Sequence, residues 1–503
     1  MTTLTKLLEP QLAFRYRQVV ADPRDGLTLF GPLDEVHGIS YGIVGTKPSV
    51  ERFHRWLTRL QQPIINDYTG ITRPYYPGFT AAFHTTWQPA PTTAVIIEEH
   101  ELLRRVHIDD KYQRTHQTVN LFADAIRKAQ HEEETMPLLW FVLITDEVYK
   151  YCRPKSIVPA LERITAADTL PPKFAKRFTD DTPSLFPQIT QASIPYQYDA
   201  DFHHQLKAQL LTTGVPTQII RESTIAHHDF TTSMGNPKRP LDPVVSDIAW
   251  HLSTGTFYKA GGRPWKIASI RPGVCYLGLV FKKDDRDADP RAACCAAQMF
   301  LDSGDGVVFR GALGPWYSAE ERTFHLTTSK AAELLGTAIK SYTDKLGSPP
   351  KELFIHGKIA FDDAEWEGFT SATPPGTNLV GIRIKKADGL KLYMRGDHPV
   401  LRGTAYHEDD RAAYLWTKGF IPRLQTYPGR GVPNPLRIDI VRGEADLTTV
   451  LNDVMALTKV NFNSCIFADG IPVTLRFADA IGEILTAGPA TETIPPLPFK
   501  MYI

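Results

Sequence analysis

The sequence has no CxxC pair, no glycine-rich phosphate loop and no long apolar run. Its five cysteines, Cys152, Cys275, Cys294, Cys295 and Cys465, are odd in number and scattered over 503 residues. Neither a disulfide framework nor a zinc ribbon is supported, and the usage suits a reduced, cytoplasmic protein with free thiols. Neither GxGxxG nor GxxxxGK[ST] stands at a strand-to-helix junction, which argues against a nucleotide cofactor. Gly45-Thr-Lys-Pro-Ser49 lacks the first glycine of such a loop. The longest apolar stretch, Leu138–Ile144, is strand-sized and far too short to span a bilayer. The start of the chain lacks the apolar core of a signal peptide. Net charge is missing too, since 56 basic residues balance 56 acidic ones. That excludes a polybasic nucleic-acid coat, but a sum does not say where the charges sit.

What is present divides the chain into three parts. Residues 1–134 are rich in Pro, Gly and aromatic residues and read as an N-terminal, linker-like segment that packs on the two domains after it, with helices near Lys47–Gln61 and Asn120–Gln130. Residues 135–268 alternate strand and helix. Leu138–Ile144 suits a central parallel strand, Phe202–Leu211 a helix, Val215–Ile220 a strand and Asp247–Tyr258 a helix closed by Gly261-Gly262. This is an α/β, Rossmann-like layer. Residues 269–503 open with the strand Val274–Phe281, followed by strands at Ala296–Leu301 and Val307–Phe309. The helix Ser329–Leu346 carries Ala331, Leu334, Leu335, Ala338, Ile339 and Tyr342 at helical spacing. The strand Glu352–His356, another at Ile382–Ile384, and helices at Leu447–Leu457 and Leu475–Leu485 complete the order of an RNase H-like fold.

An RNase H-like nuclease needs three or four carboxylates on adjacent strand ends to hold two metal ions. The first strand here offers no acid before Asp284, and the strand after the long helix reads Phe354-Ile-His-Gly-Lys358. The expectation is a domain that binds and does not cut. An active nuclease using Asp284, Asp285 or Asp305 in place of the lost acids remains the alternative. A second constellation is basic and polar. His203 and Lys207 stand at i and i+4 on one helix, Gln218 lies on the next strand, and Lys259 precedes Gly261-Gly262. Such a set suits a terminal phosphate, where backbone amides and cations act together. Spacing alone leaves open surface lysines and a satisfied core glutamine. Between His203 and Lys283 ten bases face four acids, and Arg383, Lys385, Lys386, Lys391, Arg395 and Arg402 face only Asp388 and Asp397. Phosphate-tracking grooves have this pattern. The pairs His203-His204 and His227-His228 have no acidic or cysteine companion at metal-ligand spacing.

These residues together resemble the short prokaryotic Argonautes, which consist of MID and PIWI domains. The resemblance runs over nearly the whole chain. It is carried by Asp22-Pro-Arg-Asp-Gly-Leu27 with Phe30-Gly-Pro32, Asp146–Pro154, Pro216–Ser223, Tyr258–Trp265, Phe354–Gly357, Leu457–Asn463 and Pro472–Asp479. The resemblance implies a MID domain over 135–268 and a PIWI domain over 269–503. It implies that His203, Lys207, Gln218 and Lys259 hold the 5′-phosphate of a guide. It further implies a Mg²⁺ ion there, held by Gln218 and the terminal carboxylate of Ile503. Three positions of the slicing tetrad of active relatives, the first Asp, the later strand Asp and the last, fall on Val280, on Gly357 or Lys358, and on Asp479, of which only Asp479 is an acid. The implied role is a guide-RNA-binding, single-stranded-DNA-sensing subunit of a bacterial defence complex. It would be heterodimeric with an APAZ-containing effector, most similar to the TIR NADase type, with possible further assembly on activation. A SIR2 or DNase effector, or no effector at all, are the alternatives.

Overall fold

The computed structural model describes residues 3–65, 75–178, 182–283, 293–301, 306–318, 320–427, 429, 431–489 and 495–503. Asp284, Asp285 and Asp305 lie outside the described residues, and of Val280 only the backbone is described. The elements that place the site run in this order. β1 (Thr3–Lys6), β2 (Tyr41–Gly45), α1 (Lys47–Leu60), β3 (Thr93–Ile96), α2 (Lys111–Glu132), β4 (Leu139–Ile144), α3 (Phe202–Leu210), β5 (Thr217–Arg221) and α4 (Val245–Lys259) come first. β6 (Val274–Lys283), β7 (Ala293–Leu301), β8 (Gly306–Gly314), α5 (Thr328–Leu346), β9 (Glu352–Gly357), α6 (Asp363–Ala372) and β10 (Asn378–Lys386) follow. The chain closes with β11 (Thr404–His407), β12 (Ala412–Leu415), β13 (Leu436–Arg442), α7 (Leu447–Leu457), α8 (Val473–Arg476), α9 (Ala478–Leu485) and β14 (Leu497–Pro498).

A four-stranded parallel sheet of order β3-β2-β4-β5 forms the first layer. All six residues of β4 are buried, as a central strand covered on both faces requires. Alternate side chains feed opposite faces. Leu139, Phe141 and Leu143 join the core under α1, where Phe53, Trp56, Leu57 and Leu60 line one side of the helix. Trp140, Val142 and Ile144 join Phe122 and Ile126 of α2 and Phe202, Leu206 and Leu210 of α3. Two of the four strands, β2 and β3, lie before residue 134. The expected break between 134 and 135 therefore runs through one sheet, and the first segment is not a linker. Parallel strands that pair side by side are separated in sequence by whole crossover helices, so sequence position could not show the pairing.

The larger sheet has ten strands in the order β1-β11-β12-β13-β10-β9-β6-β7-β8-β14. Its centre is the RNase H-like arrangement: β6, β7 and β8 are antiparallel, and β9 runs parallel to both β6 and β10. The apolar face of α5 covers one side, with Leu335 and Ala338 against Cys275, Leu277 and Ile355. The expected helix Leu475–Leu485 is two helices parted at Phe477, which leaves the helical region at φ −104°, ψ 4°. Gly278 explains how α8 sits so close. A Cβ there would come within 1.9 Å of the Thr474 carbonyl oxygen, so only glycine lets α8 rest on β6. The chain start belongs to this sheet as well, since β1 pairs with β11 in antiparallel register. Among the described residues Cys152, Cys275 and Cys465 are buried free thiols, and no helix is long and apolar enough to cross a membrane.

Candidate functional site

The four predicted phosphate-site residues converge where α3, β5, α4 and the last residues of the chain meet. Asp201 caps α3 by accepting from the amides of His203 (3.0 Å) and His204 (3.3 Å), which fixes the helix start. One turn on, the Lys207 ammonium donates to the Thr217 carbonyl at 2.9 Å and to the main-chain oxygen of Ile503 at 2.6 Å. Gln218 follows on β5, and its Oε1 accepts from Lys259 Nζ at 2.5 Å. Lys259 ends α4, and Gly261 turns the chain away at φ +105°, a conformation that favours glycine. Gly255 in α4 keeps that face low, since a Cβ there would lie 3.7 Å from Gln218 Oε1 and 3.8 Å from Asn463 Oδ1.

The electrostatics of this cluster are unusual. Lys207 is 3% exposed and Lys259 1%. Among the described residues neither has a carboxylate side chain within ion-pairing distance, so two ammonium groups are buried on amide and main-chain oxygens alone. Burial pushes the Lys207 ammonium down to about 7. Burial first, and the charge of Lys207 second, hold Lys259 well below the usual lysine value. His203 is exposed at the rim. Loss of hydration over part of its ring, then the charges of Lys207, His204 and Lys259, push it down to about 3. Lys259 has only the Gln218 amide oxygen, while Lys207 also meets the Ile503 oxygen that the resemblance assigns to a terminal carboxylate; two buried ammonium groups this close are costly, and an incoming anion lowers that cost. Two neighbours escaped the sequence reading. Lys500 donates to the Lys259 carbonyl at 3.2 Å, and no spacing pattern ties it to α4. Asn463, from a loop of the second domain, was visible only as part of a quoted motif.

The place where doubly wound sheets hold nucleotides, at the carboxyl ends of β2 and β4, is filled by the protein itself. Glu222 is buried there and accepts from Ser49 Oγ and Arg52, each at 2.7 Å. A carboxylate thus sits at the start of α1, the position a phosphate would take. Gly38-Ile-Ser-Tyr-Gly42 has the GxSxG spacing of a nucleophile elbow, but Ser40 precedes β2 instead of following a strand into a helix.

The basic excesses counted from sequence are mostly consumed internally. Arg221 is bidentate to Asp146, Arg263 to Asp34, Arg271 joins Glu352 and Asp453, and Lys282 meets Glu483. Arg383 pairs with Asp439, and Arg402 is 2% exposed and bound to Glu9. Arg402, so buried, cannot track a phosphate backbone. Lys386, Lys391, Lys418 and Arg476 do line an open cavity of about 700 Å³. The pair His227-His228 has an acidic companion after all, since Asp242 lies 3.0 and 2.9 Å from the two rings. A separation of 14 or 15 residues hid it.

The second predicted site also assembles. β6 and β9 bring the Val280 backbone, Gly357 and Lys358 to one end of the sheet, and α9 adds Asp479. Lys358 Nζ lies 2.7 Å from Asp479 Oδ1. A cation therefore already neutralises the acid, in a place where slicing would need several acids around metal.

At the level of sequence, no protein-family model and no curated protein matches. In three dimensions the chain superposes on solved Argonaute structures. With Clostridium butyricum Argonaute bound to a guide DNA and a 19-mer target DNA, the TM-score is 0.63 at 14% identity over 97% of this chain and 53% of that one. With Drosophila Piwi it is 0.56 at 13%, over 99% and 56%. With Aquifex aeolicus Argonaute it is 0.54 at 14%, over 99% and 57%. The chain spans a little over half the length of these proteins. Its architecture, a Rossmann-like layer joined to an RNase H-like sheet, is the MID–PIWI fold of Argonaute proteins.

Proposed function

We propose that the protein binds the 5′-phosphorylated end of a small guide RNA and uses it to recognise complementary single-stranded DNA without cutting it. The observation that carries this reading is the pair of buried lysines, Lys207 and Lys259, held next to Gln218 with no carboxylate side chain to balance them. A terminal phosphate brings two negative charges and three acceptor oxygens to that point. Base pairing would read the sequence, while the protein reads the guide end and backbone.

In this reading the protein is the sensing subunit of a bacterial defence complex. The resemblance to short Argonautes supports a partner carrying an APAZ segment, most similar to the TIR type, which would supply NAD hydrolysis. Mg²⁺ is the metal that the fold family implies at the guide end. The Gln218 and Ile503 oxygens are hard donors suited to it, yet each already accepts from a lysine ammonium. A dication fits only when both lysines turn to phosphate oxygens, so the lysines are the primary anion-binding groups.

The test is competition between two RNAs of one sequence, one 5′-phosphorylated and one 5′-hydroxylated. At pH 7 the phosphorylated guide should bind at least about tenfold tighter, the discrimination expected of one charge-assisted hydrogen bond. Equal affinities would overturn the reading. The preference should also weaken with rising pH. Lys207 loses its proton above about 7 in the free protein, so binding a phosphate dianion then requires proton uptake. Affinity falls by up to about tenfold per pH unit for each proton taken up. The hydroxylated guide should show no such slope. Incubation of the loaded protein with complementary DNA and Mg²⁺ or Mn²⁺ should leave the target intact, because Val280, Gly357 and Lys358 supply no carboxylate beside Asp479. Site-specific cleavage would instead favour the displaced-acid alternative.

A further inference from the structure

The structure holds a second candidate site, separate from the guide end, beside a cavity that Glu365 shares with Lys358 and Asp479. Three clusters of histidine and carboxylate side chains bring their ligand atoms within 4.8 Å of one another. Two are closed by ordinary hydrogen bonds or ion pairs. In the first, Asp242 lies 3.0 Å from His227 and 2.9 Å from His228. In the second, His204 Nδ1 lies 3.0 Å from Asp199, while Glu483 is taken by Lys282 at 2.6 Å. Neither calls for an ion.

The third differs. His325 Nδ1 lies 3.5 Å from Glu365 Oε2 and 3.7 Å from Asp362 Oδ2. Both distances are at or beyond the limit of hydrogen bonding. They are close to the edge of a tetrahedral site, since ligands about 2.0–2.1 Å from a Zn²⁺ ion stand about 3.3–3.4 Å apart. Glu365 is 1% exposed. Its other oxygen has only the Leu326 amide, at 3.4 Å. Among the described residues no lysine or arginine pairs with Glu365 or Asp362. A buried carboxylate bonded this weakly is expensive unless a cation completes it.

Each ligand is placed by a different local cause. His325 stands in the loop entering α5. Asp362 caps α6 through its other oxygen, accepting from the Glu365 amide at 2.7 Å, which leaves Oδ2 for His325. Glu365 sits in the first turn of α6. It also lines a cavity of about 270 Å³ with Phe324, Phe361, Arg322, Lys358 and Asp479, which leaves room for water as a further ligand.

We infer that His325, Asp362 and Glu365 form a binding site for one transition-metal dication, which ties the loop before α5 to the start of α6. Imidazole with two carboxylates suits Zn²⁺ or Mn²⁺ rather than Mg²⁺. The probe is Zn²⁺ itself, added by equilibrium dialysis to the guide-free full chain after chelator treatment, with metal content measured directly. The expected result is about one Zn²⁺ per chain, with binding weakened at least about tenfold in Glu365→Gln and in His325→Ala. His228→Ala, which breaks the exposed cluster, should leave it unchanged. Co²⁺ in place of Zn²⁺ should give the visible absorption of a tetrahedral site, lost in the same variants. If His325→Ala does not fold, Asp362→Asn takes its place. Failure of the folded wild type to retain Zn²⁺, or equal retention by Glu365→Gln, would overturn the inference. Neither outcome bears on guide binding, because no residue is shared with that site.

Discussion

A Lys207→Met, Lys259→Met double variant will bind 5′-phosphorylated guide RNA roughly a hundredfold or more weaker than the wild type. Each lysine would contribute a hydrogen bond to a charged group, about 1.5–3 kcal/mol apiece. Binding of the 5′-hydroxylated guide should hardly change, so the preference disappears. The same variant discriminates a binding role from a structural one. Lys207 also joins Thr217 to Ile503, and Lys259 joins α4 to Gln218. If those bonds were what the lysines are for, methionine would destabilise the guide-free protein. If the lysines are held ready for an anion, removing two mutually repelling buried charges offsets the bonds lost to Thr217, Ile503 and Gln218. The expected outcome is an unchanged or higher unfolding midpoint with lost phosphate preference. A lower midpoint with the preference intact would refute the assignment.

Glu9→Gln will destabilise the guide-free protein by about 3–5 kcal/mol, the usual cost of removing one partner from a buried ion pair. Glu9 accepts from Arg402 Nε at 3.1 and 3.2 Å and from Lys459 Nζ at 2.8 Å. Those cations are 2% and 2% exposed, and Lys459 also lies 3.7 Å over the Phe467 ring. Arg402 spends its remaining donors on the Thr417 carbonyl and Thr458 Oγ1, while its own carbonyl accepts from Lys6. Two positive charges thus share one hydrogen-bonded carboxylate, and glutamine would leave them only the more distant charges of Asp469 and Asp22. The effect should read out as a lower denaturant midpoint and faster proteolysis of the first residues. The pH behaviour has a definite sign. Although burial opposes ionisation, Arg402 and Lys459 hold the Glu9 carboxyl below its ordinary value. Its contribution is then fully present above the unfolded carboxylate range, and is lost as pH falls through the lower folded value. Glu9→Gln should flatten that acid limb.

These two variants separate what could be read along the chain from what could not. Helices whose apolar residues recur at helical spacing were legible: α7 has the bounds expected for Leu447–Leu457, and α5 begins one residue earlier than expected. Each helix records its buried face locally. The convergence of His203, Lys207, Gln218 and Lys259 was legible because the first two share α3 while Gln218 lies on β5 and Lys259 ends α4, so element order restricts where they meet. The break at residue 134 failed for the converse reason. β2 and β4 are neighbours through main-chain bonds that leave no mark on spacing. The basic excess around Arg402 also misled, because Glu9 is 393 residues away in sequence.

The sequence by itself determined the kinds of chemistry available: lysines and a glutamine at one set of junctions, absent carboxylates at another, and amphipathic faces that force an α/β architecture. Only the tertiary structure decided which charges are spent and which remain. It gave Arg402 and Lys459 a carboxylate, gave Asp479 a lysine, and left Lys207 and Lys259 buried with no Asp or Glu side chain beside them. The reason is that the energy of a charge depends on distance and hydration, neither of which is a property of sequence separation.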